Sequence, residues 1–266
     1  MLHEMEQRQY LARIDRALRE ASAVALQYEP GTFQIRDNGG RDVVTEVDHR
    51  ISAVLKESLL QSGEGWLSEE DADDQSRVSK RIVWIVDPLD GTREFVDGLP
   101  EWCISVGLVE DGVAVGGGTA NPATGEIFLG ALDCGVTRNS VSTCASTRQS
   151  LEGALVLASR SEYKRGEWNR FEGGSFEIRP MGSVAYKLSL VAAGLADATW
   201  TLTPKHEWDV AGGIALVKAS GLWAATPKGD ELVFNCSTPL LSGLLAGPTA
   251  MASAIVEITQ SSRGTR

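Results

Sequence analysis

The sequence lacks paired cysteines. Its four, Cys103, Cys134, Cys144 and Cys236, lie far apart and form no Cys-x-x-Cys. That fits a reduced, cytoplasmic setting better than a disulfide framework or a zinc site. Long apolar runs are also missing: none approaches the roughly 20 residues that span a bilayer, so no membrane partner is expected. Basic charge is in deficit, with 25 Lys plus Arg against 36 Asp plus Glu and a net charge of −11. Gripping a nucleic-acid polymer needs a basic face, so that partner is not expected either. The first stretch, Met1 to Gln9, is polar and acidic and does not read as a secretory signal. There is no internal repeat and no low-complexity tract.

What remains is an ordinary globular composition, 42% hydrophobic and 23% charged over 266 residues. This is enough chain for one large domain or two smaller ones. Leu11, Ile14, Leu18, Ala21, Ala25 and Tyr28 recur at helical spacing and predict a first helix closed by Pro30 and Gly31. A loop from Arg36 to Asp42 and a second helix over about 46–62 follow. Ile82 to Val86 reads as a buried strand, with further strands at Cys103–Val109, Val113–Gly118 and Glu126–Ala131. Glu110–Asp111–Gly112 predicts a hairpin turn. The Ser/Thr-rich stretch from Asp133 to Ser150 reads as a linker or exposed excursion. Beyond it, strands (154–158, 176–179, 198–202) alternate with helices (162–171, 184–195, 210–219), and a last helix is expected near 251–259. The expected organisation is an α+β part over 1–147 and an α/β part over 148–266.

Chemistry concentrates in acids that punctuate strand ends. Asp87 and Asp90 flank Pro88–Leu89 directly after an apolar strand, which Pro88 is expected to end. Gly91 permits a tight turn, and Thr92 can cap the next element. Two carboxylates about 4 Å apart repel by roughly 4 kcal/mol at an effective dielectric of 20. Such a pair demands either a proton or a cation. All nearby candidate ligands are oxygens, a set that suits Mg²⁺, Mn²⁺ or Ca²⁺ rather than zinc or copper. Glu69 and Glu70 add carboxylates that a loop and one strand can return to the same end. Asp209, before the helix that starts near Val210, is placed as an N-cap.

Taken together, Glu69–Glu70, the run Trp84 to Thr92 ending in Asp87–Pro88–Leu89–Asp90–Gly91–Thr92, and Trp208–Asp209–Val210–Ala211–Gly212–Gly213 resemble the inositol monophosphatase superfamily of Mg²⁺-dependent, lithium-sensitive phosphatases. The resemblance runs from about Leu11 to the C-terminal end. It implies a layered α-β-α-β-α sandwich, usually a homodimer, acting on a small-molecule phosphate ester with two or three Mg²⁺ ions. Carried over residue by residue, it assigns Glu69, Asp87 and the Leu89 carbonyl to one metal, and Asp87, Asp90 and Asp209 to a second. Glu70 would act through water, and Asp48 would pair with Thr92. Gly91 and Thr92 would hold the phosphate, while Gly182 and Ser183 line the substrate pocket. Thr92, with Asp48 or Glu70, would orient a water and take its proton. His206 and Cys103 are read as structural.

The substrate within the superfamily is a separate question. Arg93–Glu94–Phe95 after Thr92 resembles the 3′(2′),5′-bisphosphate nucleotidases. Lys187 matches a lysine in their pocket helix, where a second phosphate would want a cation. Leu202 stands where animal inositol monophosphatases carry an inositol-binding Glu. Lys205 is a further candidate phosphate contact. The expected function is therefore removal of the 3′-phosphate of 3′-phosphoadenosine 5′-phosphate. Inositol-1-phosphatase, histidinol phosphatase and fructose-1,6-bisphosphatase are the alternatives, with a metal-binding regulatory protein as the non-enzyme reading.

Overall fold

The structure, a computed structural model, describes residues 2–28, 35–37 and 43–261. Helix α1 (Glu4–Ala25) begins earlier than its apolar stripe and buries Ile14, Ala17, Leu18, Ala21 and Ala25. Pro30 and Gly31, expected to close it, lie outside the described residues. Within the expected loop, β1 (Ile35–Asp37) pairs antiparallel with β2 (Val43–Thr45); residues 38–42 also lie outside. Helix α2 (Glu46–Leu59) follows directly.

A seven-stranded sheet comes next, built in chain order from β3 (Gly65–Ser68), β4 (Ile82–Asp90), β5 (Cys103–Glu110), β6 (Val113–Asn121), β7 (Glu126–Ala131), β8 (Gly135–Arg138) and β9 (Val141–Ser142). Only β3 and β4 pair parallel; every later neighbour is antiparallel. Two expectations are corrected here. Pro88 does not end β4: the strand runs on to Asp90, and the ladder shifts register between Asp87 and Asp90 because proline has no N–H to offer. Nor is Asp133 to Ser150 a mere linker, since β8 and β9 extend the sheet. Their side chains are largely exposed, so the apolar alternation that marks a strand is missing there. The short α3 (Thr92–Val96) connects β4 to β5.

The second sheet draws on β10 (Leu155–Ser159), β11 (Glu177–Met181), β12 (Ala198–Thr201), β14 (Trp223–Ala225) and β16 (Leu244–Gly247), ordered β11-β10-β12-β16-β14. The first three are parallel and the rest antiparallel. A small pair, β13 (Lys205–His206) with β15 (Leu240–Leu241), sits apart. The helix expected over 162–171 is instead α4 (Arg160–Lys164) and a 3-10 turn at Asn169–Phe171. Gly166, at φ +76°, breaks it, and Trp168 and Phe171 turn in to pack on Trp200. The remaining helices are α5 (Val184–Ala192), α6 (Glu207–Ala219) and α7 (Ala252–Ser261).

Three apolar clusters bind five layers. Along β4, Trp84 and Val86 point to α1 and α2, whereas Val83 and Ile85 point to the opposite face, as strand alternation dictates. On that opposite face α5 and α6 are sandwiched between the two sheets, in a core that includes Leu188, Ile214, Leu244 and Ala246. Outside the second sheet, α7 seals a third cluster with Trp168, Trp200, Met251 and Ile255. The order is α1/α2, sheet, α5/α6, sheet, α7: the layered α-β-α-β-α sandwich. The irregular segment near residue 147 joins its halves, but the central core takes side chains from both. Helix α6 lies tight on the first sheet at Gly212, where a Cβ would come within 2.6 Å of the Ser105 hydroxyl and 2.8 Å of the Val106 carbonyl. That close seat fixes the N-terminal end of α6 over the end of β4. Among the described residues no helix is long and apolar enough to cross a membrane, and the four cysteines are unpaired.

Candidate active site

The carboxyl ends of the parallel strands open into one cleft of about 380 Å³. From the first sheet come Glu69, just past β3, and Asp87 to Glu94, at the end of β4 and in α3. From the second come Ser159 to Ser161, Met181 to Val184, and Thr201. Ligand sites in α/β proteins favour this edge, where loops diverge and helix starts face inward.

One wall is acidic. Asp87 is 2% exposed and accepts a hydrogen bond from the Leu89 N–H at 2.9 Å. Burial, then the charges of Glu69, Asp90 and Asp209, push its carboxyl well above the usual range. Burial against surrounding protein, then Asp209, Glu70, Asp48 and Asp90, also drives Glu69 upward, although its side chain stays open to water through the cleft. Burial raises Asp90 as well, against the hydrogen bonds of Ser183 and Ala185 and the charges of Lys187 and Lys205. Glu70 is pushed up to about 7 by burial and by Asp48 and Asp71, and its Oε2 lies 3.1 Å from His49 Nδ1. Each of these acids is raised chiefly by lost water, and Glu69, Glu70 and Asp87 also by their neighbours' negative charge. A divalent cation relieves both, and oxygen-only donors suit Mg²⁺. Among the described residues no three acids, histidines or cysteines close around one point as a finished cage. The acids surround the cleft instead.

The remaining contacts fix these acids. Asp90 Oδ2 accepts from the Ser183 hydroxyl and from the Ala185 N–H, both at 2.6 Å, so the first turn of α5 holds one of its oxygens. Ser183 caps α5 by accepting from Tyr186 N at 3.0 Å, with its own backbone at φ +48°. Lys187, 3% exposed, donates to the Gly182 and Ser183 carbonyls at 3.2 and 2.8 Å. Two of its three ammonium donors are thus spent on the backbone that presents Asp90. Gly182 is required: a Cβ there would lie 2.4 Å from Glu94 Cδ. The basic side chains of Arg93, Arg160, Arg165, Lys187 and Lys205 line the same cleft. Arg160 is paired with Glu94 and Glu101; Arg165 with Glu167; Lys205 lies 4.0 Å from Glu162.

Glu69, Asp87, Leu89, Asp90, Gly91, Thr92, Gly182, Ser183, Lys187, Lys205 and Asp209 all line this one cleft. Asp48 and Glu70 do not line it and act on it through charge. Three local assignments change. Thr92 is the first residue of α3 rather than its cap, which is Gly91. The Thr92 hydroxyl donates to the Leu89 carbonyl at 3.0 Å, the nearest acceptor within its own turn, rather than to Asp48. Asp209 is not an N-cap. The helix starts at Glu207 where β13 ends, His206 is the cap, and Asp209 accepts from the His206 N–H at 3.0 Å from the third helical position. Sequence reasoning missed Arg160, Ser161, Arg165 and Thr201. The available signal was that each follows or ends a parallel strand. Leu202 packs beside the Trp168–Trp200 cluster and does not line the cleft.

This architecture belongs to a known class. A crystal structure of the extragenic suppressor protein SuhB from Bartonella henselae superposes with a TM-score of 0.80 at 25% identity, covering 96% of this chain and 98% of that one. An inositol monophosphatase from Anabaena (Nostoc) shares the fold with a TM-score of 0.79 at 23% identity, covering 96% of each chain. In sequence, an inositol-1-monophosphatase of Rhizobium meliloti is 30% identical over 242 residues, 87% of this chain and 88% of its own length. A fructose-1,6-bisphosphatase/inositol-1-monophosphatase of Thermotoga maritima is 30% identical over 201 residues, 74% of this chain and 76% of its own. The class is that of the layered, metal-dependent phosphatases. The profile of the inositol monophosphatase family matches residues 6–262, and the chain belongs to that family.

Proposed function

We propose that the chain hydrolyses a small-molecule phosphate monoester in this cleft, with Mg²⁺ held by Glu69, Asp87, the Leu89 carbonyl, Asp90 and Asp209. The carrying observation is that acids from the ends of β3 and β4 and from α6 line the same cleft as basic side chains from α3, α4, α5 and β13. Bound there, two or three ions would supply charge neutralisation of the phosphate and activation of a water. Gly91 and Thr92 receive the phosphate at the start of α3. Thr92 orients the water from within the cleft, and Asp48 and Glu70, set back from it, favour loss of its proton through their charge. Asp90, one oxygen locked by Ser183 and Ala185, lines the cleft with its other oxygen not engaged by them.

For the ester itself, the basic wall favours a substrate with a second anionic group, and a 3′(2′),5′-bisphosphate nucleotide comes first. Lys205 and Arg165 are its contacts at the mouth, and the inner Lys187 has one donor left for it. The second reading, inositol 1-phosphate, is supported by the names that the relatives bear. Phosphate release from 3′-phosphoadenosine 5′-phosphate, inositol 1-phosphate, fructose 1,6-bisphosphate and histidinol phosphate, compared at saturating Mg²⁺, decides between them. A kcat/KM highest on inositol 1-phosphate rejects the nucleotide reading, and no turnover on any ester rejects catalysis itself. Lithium inhibition, a homodimer and a cytoplasmic setting belong to the same proposal. A Li⁺ titration, sedimentation velocity and cell fractionation test them in turn.

A further inference from the structure

Glu69 and Asp209 come from distant parts of the chain and repel one another. Something must hold their carriers together, and the structure contains a buried device that does so. Arg77, in the short 3-10 turn Ser76–Ser79 that follows the acidic loop, is 1% exposed. Its Nε donates to both Asp73 oxygens at 3.1 Å. Nη1 donates to Asn235 Oδ1 at 2.8 Å, and Nη2 to the Cys236 carbonyl at 3.0 Å. Asn235 Nδ2 returns a bond to the Arg77 carbonyl at 3.1 Å. The segment carrying Asn235 is in turn fastened to α6. Glu207, fully buried, accepts from the Asn235 N–H at 2.7 Å and the Cys236 N–H at 3.0 Å. Arg77 also presses on β3, since a Cβ at Gly65 would lie 3.2 Å from Arg77 Cα.

We propose that Arg77, Asn235 and Glu207 form a clamp that sets the spacing between the Glu69 loop and Asp209, making Arg77 a positioning residue for the cation site. The inference rests on the metal reading above. One end of the clamp holds the strand and loop that carry Glu69; the other holds the first turn of α6, two residues before Asp209. Only a guanidinium meets the geometry, because three partners in one plane need its rigid fork. A lysine keeps the charge and loses the simultaneous contacts. Groups that orient a metal's ligands from outside affect affinity nearly as strongly as the ligands themselves.

The test uses the full chain, with Mn²⁺ binding followed by electron paramagnetic resonance in the absence of substrate. Arg77→Lys breaks the fork. Asn235→Gly removes only the amide, because glycine keeps the left-handed backbone of that position (φ +60°). Asp197→Ala is the control: it removes an acceptor of Arg148 and of the Leu155 N–H, at the end of β10 away from the cleft. The clamp predicts that both variants weaken Mn²⁺ binding by about tenfold. The Mg²⁺ concentration for half-maximal rate should rise by the same factor, and the rate at saturating Mg²⁺ should stay within about threefold of the parent. The control should lower Tm while leaving Mn²⁺ affinity within about twofold. Unchanged Mn²⁺ affinity in Asn235→Gly, or equal weakening in Asp197→Ala, overturns the clamp. A parent protein that binds no Mn²⁺ overturns the metal reading, and the clamp with it.

Discussion

The two walls of the cleft are built on opposite principles. On the acidic wall, burial and the charges of Asp90, Asp209 and one another raise Glu69 and Asp87, while burial alone raises Asp90. The basic wall does the reverse: Arg160, Arg165 and Lys205 each stand beside a carboxylate of their own. A wall left frustrated by its own residues can be completed by something from outside, and the proposed function assigns that part to a cation. A wall balanced internally can exchange one partner for a substrate anion at little cost, which is how specificity is tuned without rebuilding the fold. Lys187 belongs to both walls, since it steadies the backbone at Ser183 that grips Asp90.

Removing one acid is the hardest blow to this contrast. Asp90→Asn keeps an acceptor for Ser183 and Ala185 but loses the charge. Phosphate release should fall about a thousandfold, the rate equivalent of roughly 4 kcal/mol of charge stabilisation. Calorimetry without metal should show the opposite sign, with Tm rising about 2–4 °C for each kcal/mol of repulsion relieved. If Tm falls instead, the acidic wall is not frustrated. On the basic wall, Lys205→Met should raise KM for a bisphosphorylated substrate about tenfold, the loss of one charge-assisted hydrogen bond, and leave inositol 1-phosphate within about threefold. Equal effects on both esters would remove the distinction between the walls. Gly182→Ala drives a methyl into Glu94, the partner of Arg160, and denaturant titration should show a loss of about 1–3 kcal/mol.

The smallest effect lies beside the acidic loop. Burial raises the Asp73 carboxyl, but hydrogen bonds from Arg77 and Gln75 hold it below its ordinary value overall. A depressed folded value means that the stability is present above the unfolded pKa, about 3.9, and is lost as pH falls through the lower folded value. Asp73→Asn should therefore lower Tm at pH 7, and the gap to the parent should close below about pH 4. A gap that persists into acid would assign the loss to packing rather than to charge.

Strands such as Glu126–Ala131 were legible because their residues alternate between a cluster and its opposite face, and the hairpin because Asp111–Gly112 adopts the left-handed turn that its residues favour. Strands β8 and β9 were not legible. Short strands at the rim of a sheet with mostly exposed side chains show no apolar alternation, and their pairing partners are set by the sheet. The helix expected from Glu162 to Phe171 failed because Trp168 and Phe171 gain more by packing on Trp200 than by continuing a helix. At the site, the acids could be read because motif and strand end coincide. Asp209 was placed one turn wrong because the start of α6 depends on β13 pairing with β15, residues 240–241 being far along the chain. Arg160 and Arg165 were overlooked because a charged residue after a strand is ordinary until the cleft beside it is known.

The residues alone determined the chemistry on offer: oxygen donors at the ends of apolar strands, with no sulfur or imidazole set to compete, and hence an affinity for a hard cation. Whether those donors would meet was decided by packing. Helix α6 reaches β4 because Gly212 lets it lie against β5, and Arg77 ties two remote segments to one spacing. The carboxyl values themselves arise from excluded water and from neighbours up to 140 residues distant in the chain, such as Asp209 beside Glu69. Coulomb forces act through space, so no property of either residue's local sequence could contain them.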